Sequence, residues 1–326
     1  MPPDSNTTGA SAPNTTSSNR SHQSPTDLPG SGAVARGRRI AGTFLHSAAF
    51  IAIVAVVETW IATVLLGVAL TPAPIVVGLI AFAVYATDRV ADAETDIPSN
   101  PVQAAYARKH GDVLATAAAL AYALAVALAL LGGPLALALT LLPGLAWFGY
   151  ASSWLPTVAS WLPATSGRVP RLKDVLVLNS GVVAFAWAAA LTFLPLAFAG
   201  DSGNALAVAV VFAYFLLRSF VDVEVPNVRD VAADAAIGVE TLATELGVDR
   251  TRRVLYAVDL GVVVMLLAAA HVDLLAMVHA GALLAGVAVS LGVTALVGRA
   301  ENVRLLAVAP ECSYLVAAIA LLVVGP

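Results

Sequence analysis

From residue 44 onward the chain alternates long apolar runs with short polar breaks. A helix crosses the hydrocarbon core of a bilayer with about 20 apolar residues. Nine runs approach that length, at 44–68, 72–90, 112–132, 134–151, 174–198, 204–222, 252–270, 274–297 and 304–325. The breaks after the first, third and seventh runs are only a few residues long, which makes those pairs antiparallel helical hairpins. The pattern predicts an all-α membrane protein over 41–326, a bundle of nine transmembrane helices. Residues 1–40 are different, rich in Ser, Thr, Asn, Pro and Gly with few apolar side chains. Such a segment cannot bury enough apolar surface to fold alone and is expected to be a disordered tail.

Composition agrees. Hydrophobic residues make up 59% of the chain and charged residues 12%, with a mean hydropathy of +0.86. Soluble domains carry about 25% charged residues, so most of this surface must face lipid. The formal net charge of -4 offers nothing to a nucleic acid. One cysteine, Cys312, rules out an intrachain disulfide and a cysteine-rich metal site.

Charge placement orients the bundle. With the N-terminus in the cytoplasm beside Arg36, Arg38 and Arg39, alternate breaks carry Arg89, Arg108 and Lys109, then Arg168, Arg171 and Lys173. Arg218, Arg229, Arg250, Arg252 and Arg253 fall in or beside the next such break, and Arg299 and Arg304 in the last. Basic residues thus gather on one side, as expected for cytoplasmic loops of the cell membrane.

Two acidic clusters land on that side. Asp88, Asp92 and Asp96 follow the second run at a four-residue spacing, which lines them along one helix face. A helix C-terminus prefers cations, so three aspartates there call for a compensating ion. Hard divalent cations such as Mg2+ take carboxylate oxygens together with substrate phosphates. Asp230 and Asp234 repeat the spacing after the sixth run, with Asn227 one turn earlier. Gly238 suits a helix stop and Thr241 a cap for a new helix at Leu242. The two clusters are expected to face each other.

These motifs resemble those of the UbiA-type intramembrane prenyltransferases. Asp230, Asp234, Gly238, Thr241 and Leu242 match the D-x-x-x-D and G-x-x-T-L of that family's second motif. Asp92 and Asp96 match the last two aspartates of its first, N-D-x-x-D-x-x-x-D, whereas Asp88 stands at the Asn position and Arg89 replaces the next Asp. The resemblance covers about 44–325. It implies nine helices around a central cavity open to the cytoplasmic side. It also implies transfer of an isoprenoid chain from a prenyl diphosphate to a lipophilic acceptor, a quinone precursor, lipid or other isoprenoid. Two Mg2+ ions would sit between the clusters, with Asp88, Asp92, Asp96, Asp230 and Asp234 as ligands. Asn227 is a further binding candidate, and Arg168, Arg171 and above all Lys173 would grip the diphosphate. Tyr106 and Arg108 lie on the loop after the first motif, where the family has a lid helix. Glu58, Asn179, Asp259 and Glu311 are polar positions inside runs, and Asn179, Glu58 and Trp187 are candidates for the acceptor cavity.

Two other readings stay open: an ion-coupled membrane transporter and a non-catalytic isoprenoid-binding protein. Transporters hold their ions near the bilayer midplane on broken helices, whereas these acids cluster at an edge.

Overall fold

The computed structural model describes residues 48–94, 97, 100–151, 176–299 and 308–325. The expected tail at 1–40 lies outside them. Among the described residues there is no strand. In chain order the helices are α1 (Ala49–Leu66), α2 (Ala73–Ala91), α3 (Pro101–Ala129), α4 (Gly133–Ala151) and α5 (Leu176–Ala199). They continue with α6 (Ala205–Ile237), the short α7 (Leu242–Leu246), α8 (Val248–His271), α9 (Met277–Leu296) and α10 (Ala309–Val324).

Seven stretches of the described residues are long and apolar enough to cross a membrane. One of them, Pro101–Leu145, runs through α3, the tight 3-10 turn Leu130–Gly132 and the start of α4. Helix α10 is a shorter apolar helix.

The element ends follow from local chemistry. Gly67 closes α1 at φ 65°, a left-handed conformation that costs a glycine nothing, and its N–H returns to the carbonyls of Thr63 and Val64. Proline opens α2, α3 and α10 in the first turn, where its missing N–H is not needed.

Helix pairing closes a ring. Each long helix packs on the next from α1 to α6, α6 then packs on α8, α8 on α9 and α9 on α10. Helix α10 returns to α1. Helix α1 also touches α5 and α6, which draws it toward the middle. The core between the helices is rich in alanine, and glycines mark close approaches between helices. A Cβ on Gly78 would meet Val56 Cγ2 at 2.5 Å, and one on Gly286 would meet the Ser313 carbonyl oxygen at 2.7 Å. Without a hydrophobic force between helices in lipid, small residues let the backbones gain van der Waals contact. Large apolar side chains such as Leu120, Leu131, Val264 and Val323 point outward instead.

The structure corrects three expectations from the hydropathy pattern. The sixth run, 204–222, is only the first part of a 33-residue helix that continues through Pro226 to Ile237. The third run likewise begins inside α3, which starts at Pro101 and bends where His110 leaves helical geometry at φ -121°. Tyr106, Arg108 and His110 therefore lie on a helix rather than in a loop. Arg218, expected in or beside a cytoplasmic loop, is fully buried within α6.

Candidate active site

Helix α2 delivers the first acidic pair. Asp88 lies in its last turn and Asp92 is its C-cap, whose backbone N–H donates to the Asp88 carbonyl at 2.8 Å. Arg89, between them, is 8% exposed, and its charge opposes the negative end of the helix dipole. Asp96 lies outside the described residues.

Helix α6 delivers the second pair as part of one continuous rod. Asn204 caps it at the start, its side-chain oxygen accepting from the N–H groups of Leu206 and Ala207 at 2.9 and 3.2 Å. It stops at Gly238, φ 74°, where the N–H groups of Gly238 and Val239 both return to the Asp234 carbonyl. Thr241 then opens α7 with a capping box built with Thr244. Asp230 and Asp234 so occupy the last two turns of α6. Arg229 Nε donates to Asp230 Oδ1 at 2.7 Å while its Nη2 faces Oδ2, so the adjacent arginine covers both oxygens. Arg229 thus balances the charge of Asp230 from within the same segment. Asn227 Nδ2 donates to Ser180 Oγ of α5 at 3.4 Å.

The two pairs lie at one end of the bundle. Val90 on α2 faces Gly111, early in α3, whereas Gly132 at the far end of α3 abuts Phe198 at the end of α5. From Gly111 to Gly132 the chain climbs about 30 Å at 1.5 Å per residue. The α5–α6 turn therefore lies opposite Val90, and α6 runs from that turn toward the end that carries Asp88 and Asp92. Among the described residues no three His, Cys, Asp or Glu side chains come together closely enough to hold a metal ion.

Tyr106 packs its ring against His110 at 4.7 Å, and Arg108 reaches Glu94 at 3.9 Å across the α2–α3 connection. This first stretch of α3, set off by the bend at His110, adjoins the end of α2 through Arg108 and Glu94. Asn179 is on α5, but its side chain lies outside the described set, as do Arg168, Arg171 and Lys173.

Deeper in the ring is a polar network that the motif reading missed. The Arg218 guanidinium donates to Asp259 Oδ1 of α8 at 2.8 Å, to Ser313 Oγ of α10 at 2.8 Å and to Ser290 Oγ of α9. It also pairs with Asp222 one turn on, at 3.3 Å, and lies 5.5 Å from the Tyr314 ring centroid. Ser290 donates in turn to the Asp259 carboxylate, and the Tyr314 hydroxyl donates to Asp222 Oδ2 at 2.6 Å. Glu58 of α1 and Glu311 of α10 lie within electrostatic reach of Arg218 and Asp222. Beside them Tyr85 and Trp187 stack at 6.1 Å, 9° from parallel. A signal was available in the sequence: an arginine in an apolar run, with Asp222 four residues on and acids in later runs, demands a partner inside the protein.

The donor set suits Mg2+. The described members, Asp88, Asp92, Asp230 and Asp234, offer only hard oxygen. Mg2+ keeps most of its water and typically takes one or two carboxylates plus substrate phosphates. A pair on each helix meets that need without a closed protein cage.

No family model and no curated protein sequence matches the chain. Its fold, however, is that of solved membrane enzymes. A UbiA homologue from Aeropyrum pernix K1, in its apo form, is similar with a TM-score of 0.61 at 16% identity, over 83% of this chain and 97% of that one. A UbiA homologue from Archaeoglobus fulgidus bound to DMAPP and Mg2+ gives 0.52 at 11% identity, over 86% and 99%. Digeranylgeranylglyceryl phosphate synthase gives 0.50 at 13% identity, over 87% and 94%.

Proposed function

On a fold shared with UbiA-type intramembrane prenyltransferases, we propose that this chain transfers an isoprenoid chain from a prenyl diphosphate to a lipophilic acceptor within the membrane. The observation that carries the reading is the placement of two aspartate pairs, Asp88 with Asp92 and Asp230 with Asp234, toward the same end of the helical ring. Bound between a diphosphate and these carboxylates, Mg2+ would neutralise the leaving group's charge. Two ions fit two pairs, with Asp96 extending the first.

The chain's own residues supply the rest. Tyr106 and Arg108, on the first stretch of α3, are placed to cover the diphosphate, and Arg168, Arg171 and Lys173 remain candidates to grip it. The stacked rings of Tyr85 and Trp187 present aromatic faces one turn below Asp88. Such faces favour cationic character in the leaving allyl group and exclude water that would quench it. The outward leucines and valines hold the ring in lipid, from which both long-chain substrates would enter. In this reading nine helices cross the bilayer, α10 included, with the acidic end in the cytoplasm as the basic residues indicate.

The test is Mg2+-dependent release of diphosphate from labelled prenyl diphosphates of several lengths, in purified membranes with an acceptor panel. Release should fall at least about a hundredfold in Asp92→Asn and Asp234→Asn. Undiminished release in both would remove the site assignment. The clasp of Arg229 on Asp230 favours a second reading, a non-catalytic isoprenoid-binding protein. That reading expects prenyl diphosphate to bind and be recovered intact.

A further inference from the structure

Glu224 is 1% exposed, and its Oε2 has no hydrogen-bond partner. It lies on α6 one turn before Asn227, deeper in the ring than the acidic pair of that helix. Ser180 and Asn227 lie beside the same carboxyl. Asn227 also donates to Ser180 Oγ, which leaves the Ser180 proton for Glu224. The carboxyl thus has two polar neighbours, and its buried Oε2 is left without a partner.

Among the described residues no salt bridge reaches it. Its polar neighbours are the Ser180 hydroxyl and the Asn227 amide, whereas Asp230 has Arg229 and Asp259 has Arg218. A buried polar atom without a partner costs about 1–3 kcal/mol, and acids at bilayer depth almost always pair, so an unserved oxygen there calls for a partner. The missing group must serve either protonation state of the carboxyl, donating to a carboxylate oxygen or accepting from a protonated one. A hydroxyl does both; an ether oxygen or a hydrocarbon does not.

Resting on the prenyl-transfer reading above, we propose that Glu224 is the acceptor-selecting residue, and that its free oxygen receives the hydroxyl of an alcohol or phenol acceptor. In ether formation the acceptor oxygen bonds C1 of the prenyl group as the C1–O bond to diphosphate breaks. The bonding pair leaves with diphosphate, and the hydroxyl proton passes to Glu224 Oε2. Ser180 and Asn227 are positioning residues that aim the carboxyl.

The test uses the full chain in nanodiscs and two probes of similar size, 1-naphthol and 1-methoxynaphthalene, titrated by calorimetry. The wild type should bind the naphthol at least tenfold more tightly. Glu224→Met and Glu224→Leu should bring the two probes to within twofold, while Mg2+-dependent binding of dimethylallyl diphosphate stays within twofold of wild type. No preference in the wild type would overturn the proposal whatever the variants do, as would a preference that survives in either variant. Loss of dimethylallyl diphosphate binding in the wild type would instead sink the prenyl-transfer reading, and the naphthol ratio would still be judged by itself.

Discussion

Replacing Arg218 by methionine keeps most of the side-chain volume and removes the charge at the centre of the ring. The loss is a hydrogen bond to Asp259 at 2.8 Å, one to Ser313 at 2.8 Å, one to Ser290, and the longer pair with Asp222. Asp259 would keep Ser290 at 2.9 and 3.0 Å and Thr294 at 3.5 Å, and Asp222 would keep Tyr314 at 2.6 Å. Those bonds hold the carboxylates in place but do not balance their charge. Removing one partner of a buried ion pair costs about 3–5 kcal/mol, chiefly for the charge left behind. At about 1.4 kcal/mol per factor of ten, that is a change of roughly two to three and a half decades in the unfolding equilibrium. Reversible SDS titration in mixed micelles, followed by tryptophan fluorescence, measures it directly. The double variant Arg218→Met/Asp259→Asn removes the stranded charge of the closer partner, leaving Asp222, and should recover at least about 2 kcal/mol, within the range of coupling seen for contacting residues. A single variant that loses less than about 1 kcal/mol, with additive behaviour in the double, would refute the claim that this network holds the ring together.

Three further outcomes follow from geometry already given. Arg229→Gln uncovers both oxygens of Asp230 and should strengthen Mg2+-dependent binding of a prenyl diphosphate severalfold; unchanged or weaker binding by calorimetry would count against Asp230 as a ligand. Gly286→Ala places a methyl 2.7 Å from the Ser313 carbonyl oxygen and 3.0 Å from Ala317 Cβ, so α9 and α10 must part, at about 1–3 kcal/mol in the same titration. Thr241→Ala removes the side-chain acceptor that caps α7, at about 0.5–2 kcal/mol, and hydrogen exchange at Thr244 should accelerate.

The helical membrane class was legible because apolar run length reports it without any tertiary knowledge. That the acidic pairs follow the second and sixth apolar runs was equally plain, since a polar break in such a chain is unmistakable. Helix ends were not. Hydropathy follows the solvent rather than the backbone, so α6 was cut short near Asp222 although its hydrogen bonding continues to Gly238. The same confusion misplaced Arg218: a basic residue near the apparent end of a run reads as a loop charge, and only the partners on α8, α9 and α10 show it to be interior. Glu224 escaped notice because its value lies in one unserved oxygen, a property of packing that no spacing encodes.

The Arg218 cluster also constrains how the chain can be made. Arg218 leaves the ribosome 41 residues ahead of Asp259 and 95 ahead of Ser313. An arginine at the centre of a lone helix opposes insertion by about 2.5–3.5 kcal/mol on the translocon scale, and Asp222, one turn on, and Glu58 of α1 offer early but partial relief. We expect α6 to linger at the translocon until α8 arrives. Arrested nascent chains should stay crosslinked to it when they end before Asp259 is exposed and release once α8 and α9 have emerged; equal crosslinking at both lengths would mean that assembly does not wait for the pairing.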